Sequence, residues 1–194
     1  MNTEDYLRSM VTRFRVILDA HNMHLESFNR HEAQLEHWLK GELLPFLDSE
    51  VNGRLKKIAT EVRPDPKGRG RVDLQLLIPD GSTGVEVWIE LKHLHIGLQK
   101  GESYKASDYF SDKSSTIYKD VVKLNKIKPS GDKYILILCT KNPDSEGNGN
   151  WSESVDTLNQ MLQEFCPPLR VSSLTDPSGF PQTYFLGLLK VTCK

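Results

Sequence analysis

Two runs rich in β-formers, residues 71–79 and 85–92, stand on either side of Asp80-Gly81-Ser82-Thr83-Gly84. Turn residues between two such runs predict a β-hairpin, and this hairpin constrains the rest of the chain most. In its second strand Val85, Val87, Ile89 and Leu91 alternate with Glu86, Trp88, Glu90 and Lys92. Alternation of period two puts the apolar set on one face and the acids and lysine on the other. Counting outward from the turn in simple register sets Asp73 opposite Glu90. Directly opposed side chains have Cβ atoms about 4.5–5.5 Å apart, where two carboxylates repel unless a cation lies between them. Lys92, two residues beyond Glu90, shares its face. Oxygen ligands with few carboxylates suit Mg2+, which keeps waters and takes further oxygens from a phosphate. The alternative is a polar hairpin face on which Lys92 pairs with Glu90 or Glu86.

The flanking sequence predicts what covers the hairpin. Leu7, Met10, Val11, Phe14 and Leu18 recur at helical spacing after Thr3-Glu4-Asp5, giving a helix over residues 4–20. A second helix is expected from about Asn29, with Leu35, Trp38, Leu39, Leu43 and Phe46 on one face and Pro45 as a kink or stop. A strand is expected over 57–63, then a Pro/Gly loop over 64–70. Residues 93–115 read as a long polar loop, 117–126 as a helix, and 133–140 as a buried strand. Ser152 caps a helix stopped by Pro167-Pro168, and strands follow at 169–174 and 184–191. The order predicts one α/β domain over residues 1–194, a mixed β-sheet flanked by helices.

The 194 residues carry a net charge of only −1, but the charge is uneven. Residues 54–71 have five more basic than acidic side chains, and residues 98–141 have four more. These stretches flank the hairpin, so a polyanion would meet a positive rim; a solvated lysine surface is the alternative. Apolar runs fall far short of the ~20 residues a membrane helix needs, so no membrane partner is expected. Glu4 and Asp5 near the start argue against a signal peptide. Cys139, Cys166 and Cys193 show no CxxC spacing, which favours a reducing cytoplasm. The pairs His21/His24 and His93/His95 lack clustered acids or thiols and read as surface or packing residues.

Arg71-Val72-Asp73 followed by Val87-Trp88-Ile89-Glu90-Leu91-Lys92 resembles the D…ExK signature of the PD-(D/E)XK phosphodiesterase superfamily, the restriction-endonuclease-like nucleases. The resemblance runs from about Glu32 to Thr140 and departs from the pattern in lacking Pro before Asp73. Asp65, after Pro64, and Glu86 are weaker stand-ins. The resemblance implies a restriction-endonuclease-like core over 29–140 with an N-terminal helical extension over 1–28. It implies that Asp73, Glu90 and the Leu91 backbone carbonyl bind Mg2+, with Mn2+ able to substitute, and that Lys92 activates the attacking water. Glu32 resembles the helix glutamate of such nucleases, although Asn29-x-x-Glu32 also reads as a capping box. Arg63, Lys67, Arg69, Arg71, Lys100, Lys105, Lys119 and Lys123 would hold the nucleic-acid backbone, and Tyr104, Tyr109 and Phe110 would touch bases or pack the loop. The implied activity is Mg2+-dependent cleavage of DNA, double-stranded rather than single-stranded, as in restriction or phage defence. A non-catalytic nucleic-acid-binding or assembly module, an RNA-directed nuclease and a homodimer all stay open.

Overall fold

The computed structural model describes residues 2–30, 35–51, 53–64, 70–80, 83–99, 102–127, 130–145 and 147–193. Three helices come first: α1 (Thr3–Ala20), α2 (Asn22–Arg30) and α3 (Glu36–Glu50). Strands β1 (Lys57–Val62), β2 (Val72–Asp80) and β3 (Thr83–Leu94) follow, then two short strands, β4 (Gly97–Gln99) and β5 (Glu102–Tyr104). Helix α4 (Thr116–Asn125), strand β6 (Asp132–Cys139), helix α5 (Trp151–Leu162) and strands β7 (Leu169–Ser173) and β8 (Phe185–Cys193) complete the chain. The main sheet is mixed and open, ordered β1-β2-β3-β6-β8-β7. Only β3 and β6 run parallel, joined by a crossover that carries α4. No described helix is long and apolar enough to cross a membrane.

Both faces of the sheet are covered, and the strand alternation decides which residues go where. Leu74, Leu76, Val87, Ile89 and Leu91 face a layer built on α1 and α3 through Leu7, Phe14, Leu39 and Leu43. Trp88, Ile135 and Ile137 face α4 and α5 through Ile117, Val121, Leu124 and Leu158. Helix α1 contributes six buried side chains and so belongs to the core.

The hairpin register is as the turn arithmetic predicts. Leu74 pairs with Ile89 and Asp80 with Thr83, so only two residues connect the strands where five were expected. On the polar face of β3, Trp88 and Glu90 are each only 2% exposed, whereas Glu86 and Lys92 are partly exposed. The reason is position, because β3 lies inside the sheet beside β6 and beneath α4.

Other boundaries shift. Asn29 lies inside α2 and does not begin a helix, so the capping-box reading fails on its asparagine; Glu32 lies outside the described residues. Helix α3 starts at Glu36 and runs through Pro45, which sits exposed on its outer side and leaves only a solvent-side carbonyl without its helical donor. Asn2 caps α1 and Asn150 caps α5, each just upstream of the expected cap. The segment 93–115 is more ordered than a loop, with the β4–β5 hairpin, a 3-10 turn over Ala106–Tyr109, and buried Leu94, Ile96 and Phe110.

Candidate functional site

The β2–β3 ladder ends at Leu74 and Ile89. The next pair in that register is Asp73 with Glu90. Beyond it the Leu91 amide, which needs an acceptor, donates to Asp73 Oδ2 at 2.8 Å. A side chain thus replaces the backbone acceptor that a continued ladder would supply. Asp73 is also flanked on its other side by β1. Thr60 pairs with Leu74 and Val62 with Val72, so Glu61 stands at the intervening position opposite Asp73. Glu61 has φ of 52°, a left-handed conformation that side-chain-bearing residues rarely adopt. Glu61, Asp73 and Glu90 therefore stand at adjacent register positions on three neighbouring strands.

Two helices bring cations and further acids to these positions. From α3, Lys40 pairs with Glu61 and lies 4.0 Å from Asp73 Oδ1. From α4, Lys123 Nζ lies 2.6 Å from Glu90 Oε1, and Asp120 Oδ2 lies 3.3 Å from Lys92 Nζ. Glu36 of α3 reaches the same ammonium at 3.5 Å and accepts the His93 amide at 3.4 Å. Lys92 is thus clasped between acids of two helices. Glu90 Oε1 and Asp120 Oδ2 are buried, and the charge of each is met by the lysine beside it, Lys123 and Lys92 respectively.

Burial sets the electrostatics. It pushes the Glu90 carboxyl up to about 8; Lys123 opposes this, and the Asp73 and Asp120 charges add to it. Asp120 is likewise raised by burial, against the pull of Lys92. Burial disfavours the Lys92 ammonium, but Asp120 and Glu36 outweigh it and hold Lys92 above its ordinary value. His93 is pulled down to about 4 by burial, with His95 adding. Its Nδ1 accepts the Leu35 amide at 3.4 Å, while its buried Nε2 has no hydrogen-bond partner.

Among the described residues no three metal-ligating side chains converge closely enough to hold an ion by themselves. The donor set nevertheless suits a divalent cation at Glu90 and Asp73. The Asp73 charge disfavours the ionised form of the buried Glu90, and a cation shared by the two carboxylates would offset that repulsion.

Of the residues proposed to hold a backbone, Arg63, Arg71, Lys105 and Lys119 are exposed, whereas Lys123 is engaged with Glu90. Lys67, Arg69 and Lys100 lie outside the described residues. Phe110 is fully buried, edge-on against Trp151, so it packs the loop and does not touch bases. The Tyr109 hydroxyl donates to the His95 carbonyl.

Sequence reasoning missed Glu36, Lys40, Glu61 and Asp120. A signal existed for Asp120, which interrupts the apolar stripe Ile117, Val121 and Leu124 on the buried side of α4. None existed for Glu61, whose place follows from the β1–β2 register. Compared with protein-family models, curated proteins and solved structures, the chain has no significant match to any of them.

Proposed function

We propose that this chain is a Mg2+-dependent DNA endonuclease of the PD-(D/E)XK type, working in the cytoplasm on double-stranded DNA, with Mn2+ able to replace Mg2+. The observation that carries the reading is Glu90. A carboxylate 2% exposed and raised to about 8 costs stability, yet it occupies the strand position opposed to Asp73 and two residues before Lys92. Buried acids with strongly displaced pKa values concentrate at working sites.

In this reading Asp73, Glu90 and the Leu91 carbonyl hold the cation. Bound there, it supplies Lewis-acid stabilisation of the charge that builds on the scissile phosphate. Lys92 positions the attacking water, and the Asp120 and Glu36 carboxylates fix where its ammonium points. Arg63, Arg71, Lys105 and Lys119 hold the backbone by charge, which carries no sequence information.

The test is incubation of pure protein with supercoiled plasmid and Mg2+ beside an EDTA control and a Glu90→Gln variant. Metal-dependent nicking that the variant lacks supports the reading. Binding without nicking in any metal would leave a non-catalytic nucleic-acid-binding module, and cleavage of RNA alone would move the substrate class.

A further inference from the structure

We propose that Lys123 is a built-in counter-cation for the metal position: its ammonium occupies the place at Glu90 that a divalent ion would take, and must withdraw when the ion enters. This inference rests on the metal-site reading above and adds a residue that competes with the metal.

The Glu90 side chain is 3% exposed, so its charged form needs a positive partner at close range. Lys92 does not serve, because Asp120 and Glu36 hold its ammonium at 3.3 and 3.5 Å. Lys40 does not serve either, being committed to Glu61 and Asp73. Lys123 alone remains among the described lysines of the cluster, and it reaches Glu90 Oε1 at 2.6 Å.

That contact is a close ion pair, and the Lys123 charge opposes the rise that burial imposes on the Glu90 carboxyl. A Mg2+ ion binds carboxylate oxygen at about 2.0–2.1 Å, and its two positive charges there repel an ammonium that lies 2.6 Å from the same oxygen. The lysine also has somewhere to go. Its side chain is 35% exposed, and it lies in the last turn of α4, where the helix dipole favours a cation. Its place at the open edge of the cluster would then present the freed charge to a phosphate. Reciprocity follows: a phosphate that binds Lys123 in its outward position must strengthen metal binding by the same factor by which the metal strengthens phosphate binding.

The experiment is a Mn2+ titration followed by electron paramagnetic resonance, without nucleic acid, on the full chain and on Lys123→Gln, Lys123→Met and Glu90→Gln. Removing the competing charge is expected to tighten Mn2+ binding by roughly 5-fold or more. Glu90→Gln is expected to abolish binding. Unchanged or weaker affinity in both Lys123 variants, with Glu90-dependent binding in the wild type, overturns the inference and leaves the metal site standing. Absence of Mn2+ binding in the wild type, or binding indifferent to Glu90→Gln, rejects the metal site and the inference with it. A readout that needs no variant is the side-chain NMR signal of Lys123 on Mg2+ addition. It is expected to move to the position of a solvated lysine, and an unmoved signal at saturating Mg2+ also overturns the proposal.

Discussion

Asp73 Oδ2 accepts the Leu91 amide at 2.8 Å, so the residue that faces Glu90 also fastens the end of the hairpin where backbone pairing stops. Two roles in one carboxylate separate under substitution. Asp73→Ala leaves the Leu91 amide without an acceptor and is expected to cost about 1–3 kcal/mol in metal-free urea unfolding. Asp73→Asn keeps an acceptor oxygen and removes the repulsion with Glu90, so it is expected to stay near wild-type stability while losing metal binding. Equal stability of the alanine variant and the wild type would show that the hydrogen bond carries nothing.

Lys92 is a structural cation as well as the proposed water-positioning group, because Asp120 is buried against it. Lys92→Ala is therefore expected to lower stability, by up to about 3 kcal/mol, by stranding a buried acid. Pairing Lys92→Met with Asp120→Asn removes both charges and is expected to restore the unfolding midpoint without restoring cleavage. Recovery of cleavage in the double variant would take the chemistry away from Lys92.

The parts legible in the sequence were those whose signal is local. Alternation in β3 and the turn residues Asp80 to Gly84 were sufficient for the hairpin and its register, and an unbroken apolar run was sufficient for β6. The burial of Glu90 was not legible, because it depends on β6 lying parallel to β3 and on α4 crossing above it, contacts far apart in the chain. The same holds for Glu36 and Lys40, which α3 delivers to β3 and β2 from the opposite layer. Helix α2 was missed because its nine residues are too few to repeat an apolar stripe and bury little besides Leu25, with Met23 left exposed.

Stability in metal-free buffer is expected to fall as pH rises from about 6.5 to 8. Glu90 is raised in the folded state to about 8 from an ordinary value of 4.5, so across that window the folded chain binds the extra proton. More protons on the folded state mean stability lost with rising pH, by at most about 1.4 kcal/mol per pH unit for one group. His93 acts oppositely: depressed to about 4 from 6.5, it costs stability as pH falls through that range. The two slopes offset each other between 4.5 and 6.5, and above 6.5 Glu90 acts without His93. Urea unfolding in EDTA at pH 5.5, 6.5 and 8 reads this, and Glu90→Gln is expected to flatten the upper limb. A wild type whose stability rises from pH 6.5 to 8 would contradict it.

DNA binding is expected to weaken with salt, with Arg71→Ala or Lys119→Ala each reducing the slope of log affinity against log salt by about 0.9. Both residues are exposed. Lys113, paired with Glu164, is the internal control, since its charge is already met by an acid. An equal effect of Lys113→Ala would mean that general charge, and not this rim, sets the affinity.

The strained backbone at Glu61 gives a final, independent handle on the site. A residue with a Cβ at φ of 52° costs about 1–2 kcal/mol that glycine does not incur. The exposed pair that Glu61 makes with Lys40 returns between about 0 and 1 kcal/mol. For folding alone, glycine is the better residue here, so Glu61→Gly is expected to be as stable as the wild type or more so. Glu61→Ala keeps the strain and loses the pair, and is expected to fall about 1 kcal/mol or more below the glycine variant. Alanine as stable as glycine would mean that the left-handed conformation costs nothing at this position. If the glycine variant is the more stable but binds Mn2+ less tightly, the glutamate is kept for its charge beside Asp73, consistent with strain tolerated where a site needs it.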